Sequence, residues 1–238
     1  MKFFSMDSPL MQALNKMADL LWLNVLALIC CLPVVTVGAS MTAMHYMALK
    51  IARNEETYIT KGFLKSFKEN FRQATIIWLL QLTTIIVLLG DYYILFFSEM
   101  EFHTVLQVML YLVTIIVLLV SIFVYPVLAR FDNTVFKTIK NALYIGILQL
   151  PKAVLMLAMY IAPLILTVVA TEIFPIIFLF GLSLPAFVSA KLYHKFFLKL
   201  EDKVLENSAS DKEDLGSEDE HIFSDELDPA LTAGEEFH

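Results

Sequence analysis

Residues 21–50 read LWLNVLALICCLPVVTVGASMTAMHYMALK, an apolar run long enough to cross a bilayer and interrupted at its centre by Pro33 and Gly38. A helix crosses a hydrocarbon core of about 30 Å with ~20 residues, so length makes this a membrane segment and the proline makes it a broken one. Proline lacks a backbone N–H and clashes with the preceding turn, and in hydrocarbon the carbonyls it frees need other partners. Thr36, Ser40 and Thr42 follow the break with hydroxyls that can serve, and Gly38, Ala39, Ser40, Ala43 and Ala48 are small enough to let another helix come close. The break reads either as a kink that shapes a packed bundle or as a discontinuous helix whose exposed backbone groups line a substrate or ion site.

The rest of the chain has the same character. Of 238 residues, 58% are hydrophobic, against roughly 45–50% in soluble domains. Mean hydropathy is +0.71. Apolar runs of spanning length cover residues 20–49, 75–97, 104–129, 153–170 and 174–193, which makes about five spans. Seven glycines and no alternating strand pattern exclude a barrel. The expected fold class is an all-α polytopic transmembrane bundle with cytoplasmic amphipathic helices. Residues 1–19 are polar and amphipathic, unlike a signal peptide, so the first span is expected to stay in the chain. Cys30 and Cys31 are adjacent and lack metal-ligand spacing, so they read as apolar packing.

Basic residues set the expected topology. Lys50, Arg53, Lys61, Lys65, Lys68 and Arg72 fall between the first two spans, and Arg130, Lys137, Lys140 and Lys152 between the third and fourth. Lys191, Lys195, Lys199, Lys203 and Lys212 follow the fifth, leaving only Lys2 and Lys16 of the 17 ahead of the first. The positive-inside rule then puts the C-terminus in the cytoplasm and the N-terminus outside. A re-entrant hairpin bent at Pro33 would instead bring Lys2 and Lys16 inside as well.

Three strings carry a resemblance: LNVLALICCLPVVTVGAS-TA at residues 23–43, F-KSFKENFRQAT at 63–75, and YPVLARFDNT…IKNAL at 125–143. Together and in this order they resemble the YesL-like family, a domain of unknown function in Gram-positive bacteria, over residues 1 to about 200. The resemblance implies a multi-pass cell-membrane protein, often encoded beside carbohydrate ABC-transporter permeases, solute-binding proteins and polysaccharide-degrading enzymes. It carries no catalytic residues.

In TKGFLKSFKENFRQA, residues 60–74, Phe63, Phe67 and Phe71 recur every four positions, flanked by Lys61, Lys65, Lys68 and Arg72. This pattern predicts a basic amphipathic helix at the membrane surface. LKSFKENF (64–71) and FKTIKNAL (136–143) share the order apolar, Lys, hydroxyl, apolar, Lys, then Asn70 or Asn141, with one extra residue in the first copy, a short suggestion of a repeat. Both segments read as anchors on anionic lipid or as platforms for a partner. At ARFDNT, residues 129–134, Arg130 can reach a lipid phosphate, while Asp132 or Asn133 can cap a helix starting near Thr134. An Arg130–Asp132 ion pair gating a pathway is the alternative.

Polar groups inside the spans are few: Asn24, Gln81, Asp91 near an outer end, Gln107, and Glu172 near an outer end, with no ionisable residue clearly at mid-depth, which argues against a proton-coupled carrier. The five histidines lack ligand spacing, and neither Walker A, Gly-x-Ser-x-Gly nor His-Glu-x-x-His occurs. No enzyme activity, cofactor, metal or nucleic-acid partner is expected. The segment NALYIGILQLP, residues 141–151, resembles the coupling loop of ABC permeases only loosely and is too short for one.

From residue 201 onward fourteen acids face two lysines, so the tail 201–238 carries −12 against +5 on the rest of the chain, which together make the net −7, and it reads as a disordered cytoplasmic segment. Within it HIFSDELDPAL, residues 221–231, is apolar enough for a docking motif. The function expected from these readings is a non-enzymatic accessory membrane protein that assists or regulates carbohydrate uptake by an ABC permease. The alternative is a small-molecule transporter in its own right.

Overall fold

The computed structural model describes residues 9–55, 58–97, 103–131 and 133–200. The chain divides into two units, residues 1–194 and 195–238. In the second, residues 195–200 are helical, and the tail lies outside the described residues. In the first the elements are α1 (Pro9–Cys31), a 3-10 turn (Val34–Thr36), α2 (Val37–Ala52), α3 (Ile59–Phe97), α4 (Thr104–Arg130), α5 (Val135–Leu148), α6 (Leu150–Val169), a second 3-10 turn (Thr171–Ile173) and α7 (Phe174–Phe180). The helix Ser183–Leu200, α8, is bent by 57° from the segment before it. No strand occurs among the described residues.

Four helices, Leu10–Cys31, Ile59–Phe97, Thr104–Arg130 and Leu150–Val169, are long and apolar enough to cross a membrane, and the bent pair Thr171–Phe180 with Ser183–Leu200 adds a fifth if it forms one broken span and not a re-entrant loop. Their outward faces carry large apolar side chains such as Ile86, Leu89, Phe97, Val168 and Val169, all more than half exposed. Surfaces of this kind are stable in lipid and not in water. The chain is a multi-pass helical membrane protein.

The single broken span expected over residues 20–49 is corrected. α1 and α2 are two helices packed side by side and antiparallel: Ser40 Oγ donates to Ala27 O at 2.9 Å near the tip, and Lys16 Nζ donates to Asn54 Oδ1 at 2.5 Å near the base. Pro33 stops α1, and the two residues Leu32 and Pro33 with the short 3-10 turn reverse the chain. The start of α1 therefore lies at the same end as the end of α2.

α2 packs most extensively on α3. A Cβ on Gly38 would overlap the Ala74 carbonyl oxygen and lie 2.7 Å from Trp78 Cβ, so glycine sets the closeness of this contact. The basic segment 60–74 is the first part of α3 and not a separate surface helix: no breaker separates it from the apolar run behind it, and the 39-residue helix extends for about 58 Å. The segment from Phe136 onward also differs from the expected surface anchor. α5 runs back along α4, with the Cβ position of Gly146 lying 3.2 Å from Leu119 Cβ. Thr138, Ala142, Ile145 and Gly146 form its buried face, small enough for close approach.

Candidate functional site

The tip of the α1–α2 hairpin is built to satisfy a broken backbone. Pro33 cannot donate, so the last carbonyls of α1 lose partners, and Thr36 Oγ1 donates to Cys30 O at 2.6 Å and to Pro33 O at 2.8 Å. Trp78 Nε1 on α3 donates to Val34 O at 2.7 Å. Thr42 Oγ1 donates to Gly38 O at 2.8 Å. Pro33 itself is exposed and Gly38 buried. Cys30 and Cys31 are unbridged and partly buried.

A second break is handled by one side chain. Between α7 and α8 the backbone N–H groups of Leu182 and Ser183 both donate to Asn24 Oδ1 at 3.0 Å, and Asn24 Nδ2 donates to Phe178 O at 2.8 Å. Asn24 is 1% exposed. Its amide serves as both acceptor and donor, which no apolar residue could do in this dry surrounding.

The most polar part of the interior lies between α2, α6 and α8. His45 on α2 is buried, and its Nε2 lies 3.1 Å from the Tyr160 hydroxyl on α6. His45 Nδ1 is buried without a hydrogen-bond partner. Ser189 on α8 faces the same Tyr160 hydroxyl, and buried Tyr193, one turn further along α8, has Tyr160 and Arg53 as electrostatic neighbours. Arg53 Nε donates to His194 Nδ1 at 3.2 Å and its guanidinium approaches Glu55 at 3.9 Å. Imidazole, phenol and hydroxyl groups thus follow one another from the rim at Arg53 to the interior at His45. Such a seam can offer hydrogen bonds to polar groups of a small ligand.

Sequence reading missed this seam. His45 and Tyr160 stand 115 positions apart, each in an apolar helix, and the only available signal was that an imidazole and a phenol interrupt otherwise apolar stretches. Among the described residues no three His, Cys, Asp or Glu side chains are placed to hold a metal ion.

On α3, Lys61, Lys65, Lys68 and Arg72 are exposed along one face, with Lys65 Nζ 3.9 Å from Glu69. The opposite face holds Ile59, Phe63, Ser66, Ala74 and Ile77 in the core. Asn70 is half-buried and donates to Ser66 O at 3.0 Å. The phenylalanine row does not keep to one side: a spacing of four advances about 40° per step around the helix, so Phe63 is buried, Phe67 partly so and Phe71 exposed. The hydroxyls of the repeated pattern, Ser66 and Thr138, are both buried beside exposed Lys65 and Lys137.

Arg130 is exposed in the last turn of α4. Asp132 lies outside the described residues, so an ion pair or cap from it is outside them too. Asn133 does not occupy the cap position. α5 begins at Val135, with Thr134 at its N-cap and no side-chain capping bond, and the preceding loop is held from α3, where Gln73 Nε2 donates to Asn133 O. Asn141 is half-buried on α5.

Residues 19–92 match the family described as Protein of unknown function, DUF624. The match covers most of α1, all of α2 and α3 as far as Tyr92, and so includes the Pro33 tip, the Gly38 contact, His45 and the basic face. No curated protein and no solved structure matches the chain.

Proposed function

We propose that this chain is a non-enzymatic accessory protein of the cell membrane that assists or regulates carbohydrate uptake by an ABC transporter. The observation that carries this reading is the basic face of α3. Lys61, Lys65, Lys68 and Arg72 stay exposed on a helix whose opposite face is locked into the core, so the charges are presented on a rigid element. A rigid row of cations is suited to an acidic protein surface, and it steers association more than it adds affinity. The carbohydrate context rests on the YesL-like resemblance alone. The distribution of basic residues supports a cytoplasmic C-terminus, and the α1–α2 hairpin supports a start of α1 on the same side.

The test is charge reversal in the full chain. Lys65→Glu with Lys68→Glu is expected to reach the membrane at normal levels and to lose a permease recovered with the parent protein from nanodiscs. Unchanged recovery of that permease would reduce the basic face to a lipid anchor.

The buried seam from Arg53 to His45 favours a second reading, a small-molecule transporter in its own right. Uptake by the protein alone in liposomes, lost in Tyr160→Phe, is the result that would favour it over the accessory role.

A further inference from the structure

A cavity of about 340 Å³ lies between α3 and α4, away from the basic face and the polar seam. Its walls are apolar, including Ile94, Leu110 and Val113, and two polar side chains line it, Asp91 from α3 and Gln107 from α4. No basic side chain lines it. We propose that this cavity binds an organic cation with an apolar body.

Three physical facts point to that class. First, the volume falls at the lower end of the roughly 300–1,000 Å³ range of small-molecule sites, and apolar walls with a few polar groups are their usual lining. Second, Asp91 interrupts the apolar run IIVLLGDYYILFF, residues 85–97. Asp91 is exposed near the end of its span and brings a negative charge to the cavity lining. A bound cation is attracted by that charge, an anion is repelled, and a neutral apolar molecule gains nothing from it while displacing water from the carboxylate. Third, the walls are held in place. Tyr92, next to Asp91, shares a hydrogen bond of 2.9 Å with Thr114 Oγ1, and its ring lies 6.2 Å from that of Tyr111. These contacts fix α3 against α4 at the cavity, so little ordering is needed when a ligand enters.

The probes are tetraphenylphosphonium and tetraphenylborate, which share a shape and differ in the sign of charge, measured by equilibrium dialysis against the full chain in nanodiscs with empty nanodiscs subtracted. Saturable binding of the phosphonium and none of the borate is expected. Asp91→Asn should weaken phosphonium binding by about tenfold or more, with Asp91→Glu retaining most of it. Should Asp91→Asn fail to fold, Val113→Trp decides, since it fills the cavity and leaves the carboxylate; it should abolish saturable binding. No saturable phosphonium binding, or equal binding in folded Asp91→Asn or in Val113→Trp, would overturn the proposal.

Discussion

The hydroxyl of Ser40 donates to the carbonyl of Ala27 at 2.9 Å, joining two helices that are only 13 positions apart in sequence. That short separation across a helix pair is possible only if the chain reverses between them. The reversal at Pro33 therefore defines the N-terminal half of the molecule, and Gly38, two residues before Ser40, lets the returning helix sit against α3.

The Gly38 contact leads to a graded expectation. Gly38→Ala places a methyl group against the Ala74 carbonyl and Trp78 Cβ, where backbone and a Cβ have little room to yield, and should cost about 1–3 kcal/mol. Gly38→Leu should not give a folded protein at all. Chemical unfolding in detergent micelles measures the first, and recovery of monodisperse protein the second. A neutral Gly38→Ala would mean that α2 and α3 are further apart than described.

Asn24 should be among the least replaceable polar residues. Asn24→Leu keeps the bulk but leaves the Leu182 and Ser183 N–H groups and the Phe178 carbonyl without this partner. The expected loss is about 2–4 kcal/mol, since each stranded buried group costs about 1–3 kcal/mol and water relieves part of it. Unfolding curves of the two proteins would show it, together with faster amide exchange at Leu182 and Ser183.

The pairing of Lys16 with Asn54 puts the start of α1 beside the end of α2, which sets an expectation for labelling. In a background with Cys30 and Cys31 changed to alanine, cysteines placed at Asn15 and at Glu69 should respond alike to an impermeant thiol reagent in intact cells, both being shielded. External labelling at Asn15 with shielding at Glu69 would restore a single crossing span over residues 20–49.

The His45–Tyr160 contact is open to a double-mutant cycle. Tyr160→Phe and His45→Ala should each destabilise the protein, and the pair should show a coupling energy of about 1 kcal/mol, the ordinary worth of an interior hydrogen bond. Strict additivity would mean that the 3.1 Å approach contributes nothing to stability.

Much of this architecture was legible in one dimension. Spanning helices announce themselves because the cost of placing residues in lipid adds up along a run of about 20, and every backbone group must bond within the helix. α4, for example, covers residues 104–130, close to the apolar run at 104–129. The break at Pro33 was legible for the same local reason, and so was the need of its freed carbonyls for hydroxyl partners. The basic and apolar faces of the first part of α3 followed from helical periodicity, although a spacing of four misplaced Phe71, which drifts out of the core.

What the sequence by itself determined is therefore which stretches are apolar and helical, and that the backbone is broken at Pro33. Only the tertiary structure decided their directions and partners. After Pro33 the chain could run on or turn back, and nothing local separates the two; the choice was made by the fit of Gly38 against Ala74 and Trp78, 36 and 40 positions further on. The same holds for α5, whose small buried face needed α4 to pack on, for Asn24, whose role exists only because a second helix breaks 158 positions later, and for His45, which acquires a hydrogen-bond partner only when Tyr160 arrives beside it. Burial and hydrogen-bond satisfaction between distant residues depend on packing, and packing is a property of the assembled helices that no residue pattern carries by itself.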